Sequence, residues 1–151
     1  MSSSDSQLFL DTFTLTSHDS GQYDRVARIK GTSTDGQTTF VLDINTDLYR
    51  LSEGEQIELS LVSTLSLDGN KDDEKGTWRD KSGEATLADL WQYVCYGKVY
   101  RFEEGEESIE KGGREIIKMY ASFGGLILFI EGPYKKLTSL RVDDVYLLLR
   151  K

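Results

Sequence analysis

The chain has 151 residues and a formal net charge of -8 at pH 7, with 18 Lys and Arg against 26 Asp and Glu. Its length fits one domain over residues 1–151, which can bury a sizeable core without a disulfide or a metal ion. A hydrophobic content of 38% excludes a disordered chain. The acidic balance disfavours binding to free nucleic acid, which depends on Lys and Arg, and favours protein partners.

The sequence predicts no targeting or membrane segment. Residues 1–6 have neither the basic start nor the apolar centre of a secretory signal. The longest strongly apolar run, residues 126–130, is far shorter than the roughly 20 residues that span a bilayer. Cys95 is the only cysteine, which favours a reducing intracellular compartment.

Alternation of apolar and polar residues predicts strands along most of the chain. Residues 40–45 and 57–62 each place every second side chain on one apolar face. Asp35-Gly36 and Glu53-Gly54 provide turn chemistry beside these runs. A further strand is predicted from Tyr93 to Phe102, with one face made by Val94, Tyr96, Tyr100 and Phe102.

Two more features complete the predicted sheet. Gly124-Gly125 separates residues 116–123 from residues 126–130, which predicts a hairpin with a tight glycine turn. Residues 145–149 are apolar on both faces and predict a last strand that is central or covered.

Helix is predicted only for residues 85–92, with Thr86 as the cap. Seven or eight short strands with little helix predict an all-β, antiparallel barrel that is closed or nearly closed, with a β-sandwich as the alternative. Residues 1–7 are expected to form a flexible tail. The polar stretches 68–76 and 103–114 are expected to be mobile loops.

Catalytic and metal chemistry has no positive support in the sequence. The single imidazole, His18, lies in a polar stretch before Tyr23 and is interpreted as a solvated turn residue. One Cys and one His cannot supply the three or four ligands of a zinc site. Cys95 lies in an aromatic strand and is interpreted as a packing residue.

Carboxylates are numerous, so an acid-base pair stays open as an alternative. Asp11, Asp43 and Asp47 lie in or near strands, and one of them could have a raised pKa. We favour a bracing role for Asp43 and Asp47 at turns. The glycine pairs do not fit a phosphate loop, because no Lys-Ser or Lys-Thr follows them. No cofactor is expected.

Aromatic residues are in surplus, with eight Tyr and six Phe. Together with Arg25, Arg28 and Lys30 on one predicted strand, they favour a second hypothesis, a stand-alone barrel that stacks single-stranded bases on its rings. Core packing is the commoner role of a strand aromatic, and the acidic net charge weakens the hypothesis further.

Several motifs, in order and spread over residues 8–150, resemble the small common subunit of eukaryotic nuclear RNA polymerases, the eighth subunit in the RNA polymerase II count. The motifs are Leu8-Phe9-Leu10-Asp11-Thr12-Phe13, residues 21–29 (GQYDRVARI), Leu42-Asp43-Ile44-Asn45, Leu87-Ala88-Asp89, residues 93–103 (YVCYGKVYRFE), Ser122-Phe123-Gly124-Gly125-Leu126-Ile127, Glu131-Gly132 and Tyr146-Leu147-Leu148-Leu149-Arg150.

The resemblance implies a barrel related to the OB fold, built from two similar halves. It also implies a non-catalytic subunit shared by RNA polymerases I, II and III that docks on their largest subunit. Location in the nucleus, including the nucleolus, follows from that assignment. No direct contact with nucleic acid and no membrane contact are expected.

Docking would use exposed rings and aliphatic groups around the glycine hairpin. A core role competes with partner contact for each side chain of the predicted interface, which consists of Tyr96, Tyr100, Phe123, Gly124, Gly125, Leu126 and Tyr134.

Overall fold

A computed structural model describes residues 7–20, 25–65, 87–104 and 116–151. The predicted loop at 68–76 lies outside these ranges, as do residues 1–6 of the predicted tail and residues 105–114 of the second predicted loop. Gln7 begins a strand, and Glu103 and Glu104 end another. The tail and loop predictions are therefore wrong at these three residues, because cross-strand pairing keeps them in the sheet.

The described elements are eight strands and two short helical turns. The strands are β1 (Gln7–Asp19), β2 (Val26–Ser33), β3 (Thr39–Asn45), β4 (Gln56–Val62), β5 (Tyr93–Glu104), β6 (Ile116–Phe123), β7 (Leu126–Pro133) and β8 (Asp144–Arg150). Helix α1 is a single turn (Tyr134–Leu137), and Leu87–Leu90 form a 3-10 turn. In the described ranges no helix has the length and apolarity to span a membrane.

The helix predicted at residues 85–92 is limited, in the described part, to that 3-10 turn. Thr86, its predicted cap, lies outside the described residues. Trp91 and Gln92 leave the helical geometry, because β5 begins at Tyr93 and the Gln92 N–H donates to the Leu149 carbonyl of β8.

The strands close into an antiparallel barrel in the order β1-β2-β3-β7-β6-β5-β8-β4. This confirms the predicted barrel and excludes the sandwich. Within each half of the chain, the first strand pairs with the second and the fourth, and the second pairs with the third. The two similar halves implied by the resemblance are therefore present, joined by β3–β7 and β4–β8.

Inward-facing side chains from all eight strands fill the barrel. The predicted apolar faces of residues 40–45 and 57–62 are confirmed, since their alternate residues are buried. The last strand is covered on both sides, as its apolar pattern predicted: Leu147 and Leu149 belong to the core, and Leu148 is buried on the opposite face.

The glycine hairpin between β6 and β7 is confirmed. Gly124 and Gly125 have φ angles of 65° and 93°. Both angles are positive, which a two-residue type I′ turn requires and which favours glycine. The turn sets Phe123 opposite Leu126 and fixes the register of the whole hairpin. The predicted turn at Asp35-Gly36 likewise connects β2 and β3.

The two long strands, β1 and β5, each pair with two neighbours, and each carries a bulge within one of its ladders, that with β2 or with β6. In β5, residues 93–98 pair with β8 and residues 98–104 pair with β6, with the bulge at Tyr100. One extra residue shifts the side-chain alternation, so Phe102 packs against the core and Arg101 is exposed. The predicted common face of β5 is therefore wrong at Phe102, whereas Tyr96 and Tyr100 are both exposed.

Candidate partner interface

The residues predicted to contact a partner lie in different parts of the barrel. Tyr96, Tyr100 and Tyr134 expose 57%, 45% and 53% of their surfaces. Phe123 exposes only 5% of its surface and belongs to the core, so it has the core role that was the alternative to partner contact. Leu126 is half-buried behind the exposed Gly124 turn.

Tyr100 lies beside a row of side chains that crosses the outside of five strands, which we call the aromatic row. In register, the row consists of Lys30, Val41, Phe129, Tyr120 and Arg101. The Tyr120 ring centre lies 5.1 Å from that of Phe129 and 6.3 Å from that of Tyr100. Half-buried rings therefore lie between exposed basic side chains.

Glu103 fixes one end of the aromatic row. It forms an ion pair with Arg101 and accepts a hydrogen bond from the Tyr120 hydroxyl at 3.1 Å. The guanidinium carbon of Arg101 lies 5.4 Å from the centre of the Tyr120 ring, within the range of a cation–π contact. Partial burial and the hydrogen bond to Glu103 raise the pKa of Tyr120.

Tyr96 belongs to a separate patch on β5 and β8. It lies directly opposite Tyr146, with ring centres 5.0 Å apart. A hydrogen bond to the Asp144 carboxylate, together with partial burial, raises the pKa of the Tyr96 hydroxyl. Tyr96 therefore remains in its neutral, hydrogen-bonding form at physiological pH.

The glycine hairpin borders a cleft of about 460 Å³ where β3 and β7 separate. Their ladder ends at Leu42 and Leu128, and beyond it the Ile127 N–H donates to Asp43 Oδ2 at 3.2 Å. Arg28 Nε donates to Asp43 Oδ1 at 2.8 Å. Asp43 therefore braces the contact between β3 and β7, which agrees with the bracing role favoured from the sequence.

An apolar groove of about 400 Å³ lies near the opposite end of the β6–β7 hairpin, beside α1. Phe102 and Ile117 contribute to it from β5 and β6, and Tyr134 contributes from α1. The remaining lining consists of Leu137, at the end of α1, and of residues in the connection between α1 and β8, namely Thr138, Leu140, Arg141 and Val142. Of this lining, only Tyr134 was predicted from the sequence as a contact residue, because the lining converges from three separate segments.

The other residues singled out from the sequence have structural surroundings. His18 is exposed but lies in β1 opposite Ile29, so its predicted place in a turn is wrong: pairing with β2 extends the strand to Asp19. Cys95 packs against the core, and burial raises the pKa of its thiol. Asp47 forms an exposed ion pair with Arg25 at 3.3 Å.

Asp11 forms an ion pair with Lys136, with Nζ and Oδ2 3.1 Å apart. Lys136 also pairs with Asp35, so that α1 is fastened to β1 and to the β2–β3 turn. Within the ranges that the structure describes, no group of His, Cys, Asp and Glu is arranged to hold a metal ion.

The chain matches the family model described as RNA polymerase Rpb8 over residues 10–151. It is 35% identical over 149 residues to the "DNA-directed RNA polymerases I, II, and III subunit RPABC3" of Saccharomyces cerevisiae, covering 95% of this chain and 97% of that protein. It is 37% identical over 148 residues to the protein of the same name from Schizosaccharomyces pombe, covering 98% and 99%.

A plant relative shows the same similarity over a somewhat shorter range. The "DNA-directed RNA polymerases II, IV and V subunit 8B" of Arabidopsis thaliana is 31% identical over 134 residues, which cover 88% of this chain and 86% of the plant protein. The family match and these nearly full-length similarities assign the chain: it belongs to the RNA polymerase Rpb8 family.

Proposed function

We propose that the chain is a non-catalytic, structural subunit shared by DNA-directed RNA polymerases I, II and III. The observation that carries this proposal is the nearly full-length similarity to two yeast proteins whose names state that role. The carboxylates that the sequence left open as acid-base candidates also support a structural role, because each of them forms an ion pair. They are Asp11, Asp43 and Asp47.

The proposed partner is the largest polymerase subunit, and the proposed location is the nucleus, including the nucleolus. The contact surface would include Tyr96, Tyr100, Tyr134 and the Gly124-Gly125-Leu126 turn. Three exposed tyrosines on a rigid barrel support this assignment, since large rings with few rotatable bonds are effective interface anchors.

Affinity purification of the tagged chain from nuclear extract tests the proposal. We expect the large subunits of all three polymerases to co-purify, and the double variant Tyr96→Ala/Tyr134→Ala to recover much less of them. Leu48→Ala is the matched control, because Leu48 is 70% exposed and lies outside the proposed surface. Absence of polymerase subunits with the native chain would refute the function.

Binding of single-stranded nucleic acid is kept as a second candidate function, because the aromatic row joins rings to Lys30 and Arg101. Fluorescence anisotropy with labelled single-stranded RNA tests it. The hypothesis requires binding that weakens steeply with salt and that is reduced by Lys30→Glu. No binding at low salt would eliminate it.

A further inference from the structure

The groove beside α1 combines an apolar floor with an exposed rim. Its floor includes Leu137 and Leu140, each 3% exposed, together with the partly buried Phe102 and Ile117. At the rim, Val142 exposes 57% of its surface. A groove of this size and polarity accommodates one bulky apolar side chain, whose burial is favourable because it removes apolar surface from water.

Arg141 is the single charged residue among the described residues that line the groove. Its Nη1 donates to the carbonyl oxygens of Thr138 and Leu140, at 2.5 and 3.0 Å. Its Nε and Nη2 have no partner in the described part of the chain. The two bonds at Nη1 thus hold the guanidinium in place while its other edge remains available to a carboxylate.

A guanidinium edge that has no carboxylate partner is unusual in a protein with a net charge of -8. Four of the described arginines already pair with carboxylates, namely Arg25, Arg28, Arg101 and Arg150. Among the described residues, Arg50 and Arg141 have no ion pair, and of these two only Arg141 borders an apolar groove. The position combines one site for an apolar group with one for an anion.

We propose that the groove binds a partner segment in which a bulky apolar side chain stands next to a carboxylate. The apolar side chain packs against Phe102, Ile117 and Leu140, and the carboxylate forms two hydrogen bonds with the free edge of Arg141. The inference rests on the proposed function for its partner, a polymerase subunit, and adds the chemistry that the partner segment must have.

A small probe tests the groove without a partner. Full-length chain is titrated with 3-phenylpropanoate, which has a ring and a carboxylate, and with its neutral analogue 3-phenylpropan-1-ol, while amide NMR shifts are recorded. We expect shifts grouped at Phe102, Ile117 and residues 138–142. Binding of the carboxylate should be roughly tenfold tighter, the factor that one charge-assisted pair of about 1.4 kcal/mol provides.

Matched variants identify the source of that preference. Arg141→Gln is expected to equalise the two probes, whereas Lys135→Gln, which removes a nearby exposed charge outside the groove lining, is expected to leave the preference intact. Equal affinity of the native chain for both probes, or shifts scattered over the barrel, would overturn the proposal.

The assembly itself provides a separate readout. Arg141→Glu is expected to reduce recovery of the large polymerase subunits about tenfold, and Lys135→Glu, with the same charge change, is expected to leave recovery unchanged. If the native chain recovers the subunits and Arg141→Glu does so equally well, the groove proposal fails while the proposed function stands. If the native chain recovers none, the function fails, and the probe titration still decides whether the groove binds this chemistry.

Discussion

The two halves of the barrel share one pairing pattern but fill it with different residues. Counted from the two bulges, Phe13 of β1 corresponds to Gly97 of β5, and Ser33 of β2 corresponds to Phe123 of β6. In each half, one phenylalanine therefore fills this layer of the core. The first strand, β1, supplies it in the first half, and the second strand, β6, supplies it in the second half. In this layer the two halves therefore fill the core with the same residue type placed at different positions of the pairing pattern.

The two joints between the halves also differ. At the β4–β8 joint, five residue pairs run without interruption, and Glu58 pairs with Arg150 on the outside. At the β3–β7 joint, the ladder ends after four pairs, and the Asp43 side chain takes over as acceptor for Ile127. One joint is therefore held by backbone pairing, and the other depends in part on a single carboxylate.

The largest expected effect comes from removing either phenylalanine of the shared layer. Phe13→Ala and Phe123→Ala should each lower the free energy of unfolding by about 4 kcal/mol, since each leaves a cavity in the core. Phe13 should cost more, because it is fully buried and packs edge-on to Phe40 with ring centres 4.7 Å apart. Urea unfolding measures both values, and a loss below about 1 kcal/mol for Phe123→Ala would contradict its core role.

The placement of Phe123 shows what the sequence could and could not predict. Alternation predicted the strands, and the same alternation of Met119, Ala121 and Phe123 contained the signal that Phe123 faces inward. No local signal marks the bulge at Tyr100, because a bulge depends on the pairing with β6. The faces of Phe102 and Arg101 therefore required the structure.

The candidate site was less predictable than the fold. For Tyr96, Tyr100 and Tyr134, the sequence left a core role and partner contact both open, and only the structure shows that all three are exposed. Arg141, which lines the groove, was not identified from the sequence. Its surroundings come from β5, β6 and the segment after α1, and only the folded barrel brings those three segments together.

The second prediction concerns the glycine that makes room for Phe123. A methyl group at Gly97 would overlap the Ser122 carbonyl oxygen and lie 2.5 Å from a Phe123 ring carbon. Gly97→Ala should therefore cost about 3 kcal/mol by overpacking. Gly31→Ala in the first half should cost less, because a methyl group there would lie 2.9 Å from its nearest backbone atom, the Thr14 carbonyl oxygen, which is farther than the Ser122 carbonyl oxygen at Gly97.

A double-mutant cycle sharpens this result. Combining Gly97→Ala with Phe123→Ala should destabilise the chain by less than the sum of the single variants, since the alanine at residue 123 removes one of the two overlaps. Strict additivity in urea unfolding would show that Gly97 and Phe123 do not share the layer in the way that the comparison of the halves requires.

The third prediction compares the joints. Asp43→Asn should cost about 1.5 kcal/mol, because the Asp43 side chain is only 12% exposed and accepts bonds from both Arg28 and Ile127. Glu58→Gln should cost about 0.5 kcal/mol or less, since solvent screens its half-exposed pair with Arg150. Hydrogen exchange of the Ile127 amide should accelerate only in Asp43→Asn, and equal losses in both variants would contradict the difference between the joints.

The smallest expected effect concerns the ion pairs that connect the two halves outside the barrel wall. Lys136 of α1 pairs with Asp35 in the β2–β3 turn at 2.5 Å, and also with Asp11 of β1. Hydrogen bonds from Lys136, from the Ser33 hydroxyl and from the Gln37 N–H hold the pKa of Asp35 far below its usual value. Hydrogen bonds to Asp35 and Asp11 raise the pKa of Lys136, because they outweigh its partial burial.

The sign of the pH dependence follows from these shifts. Because the folded state lowers the pKa of Asp35, the unfolded chain binds more protons as the pH falls below about 4, and the stabilisation present above that pH is progressively lost. Asp35→Asn removes this term, so its melting temperature should fall less steeply between about pH 4 and pH 2 than that of the native chain. Glu53→Gln, an exposed carboxyl in the turn before β4, serves as the control and should keep the native slope. If Asp35→Asn also kept the native slope, the lysine would not bind the two halves through Asp35, and Asp11 alone would fasten α1 to the first half.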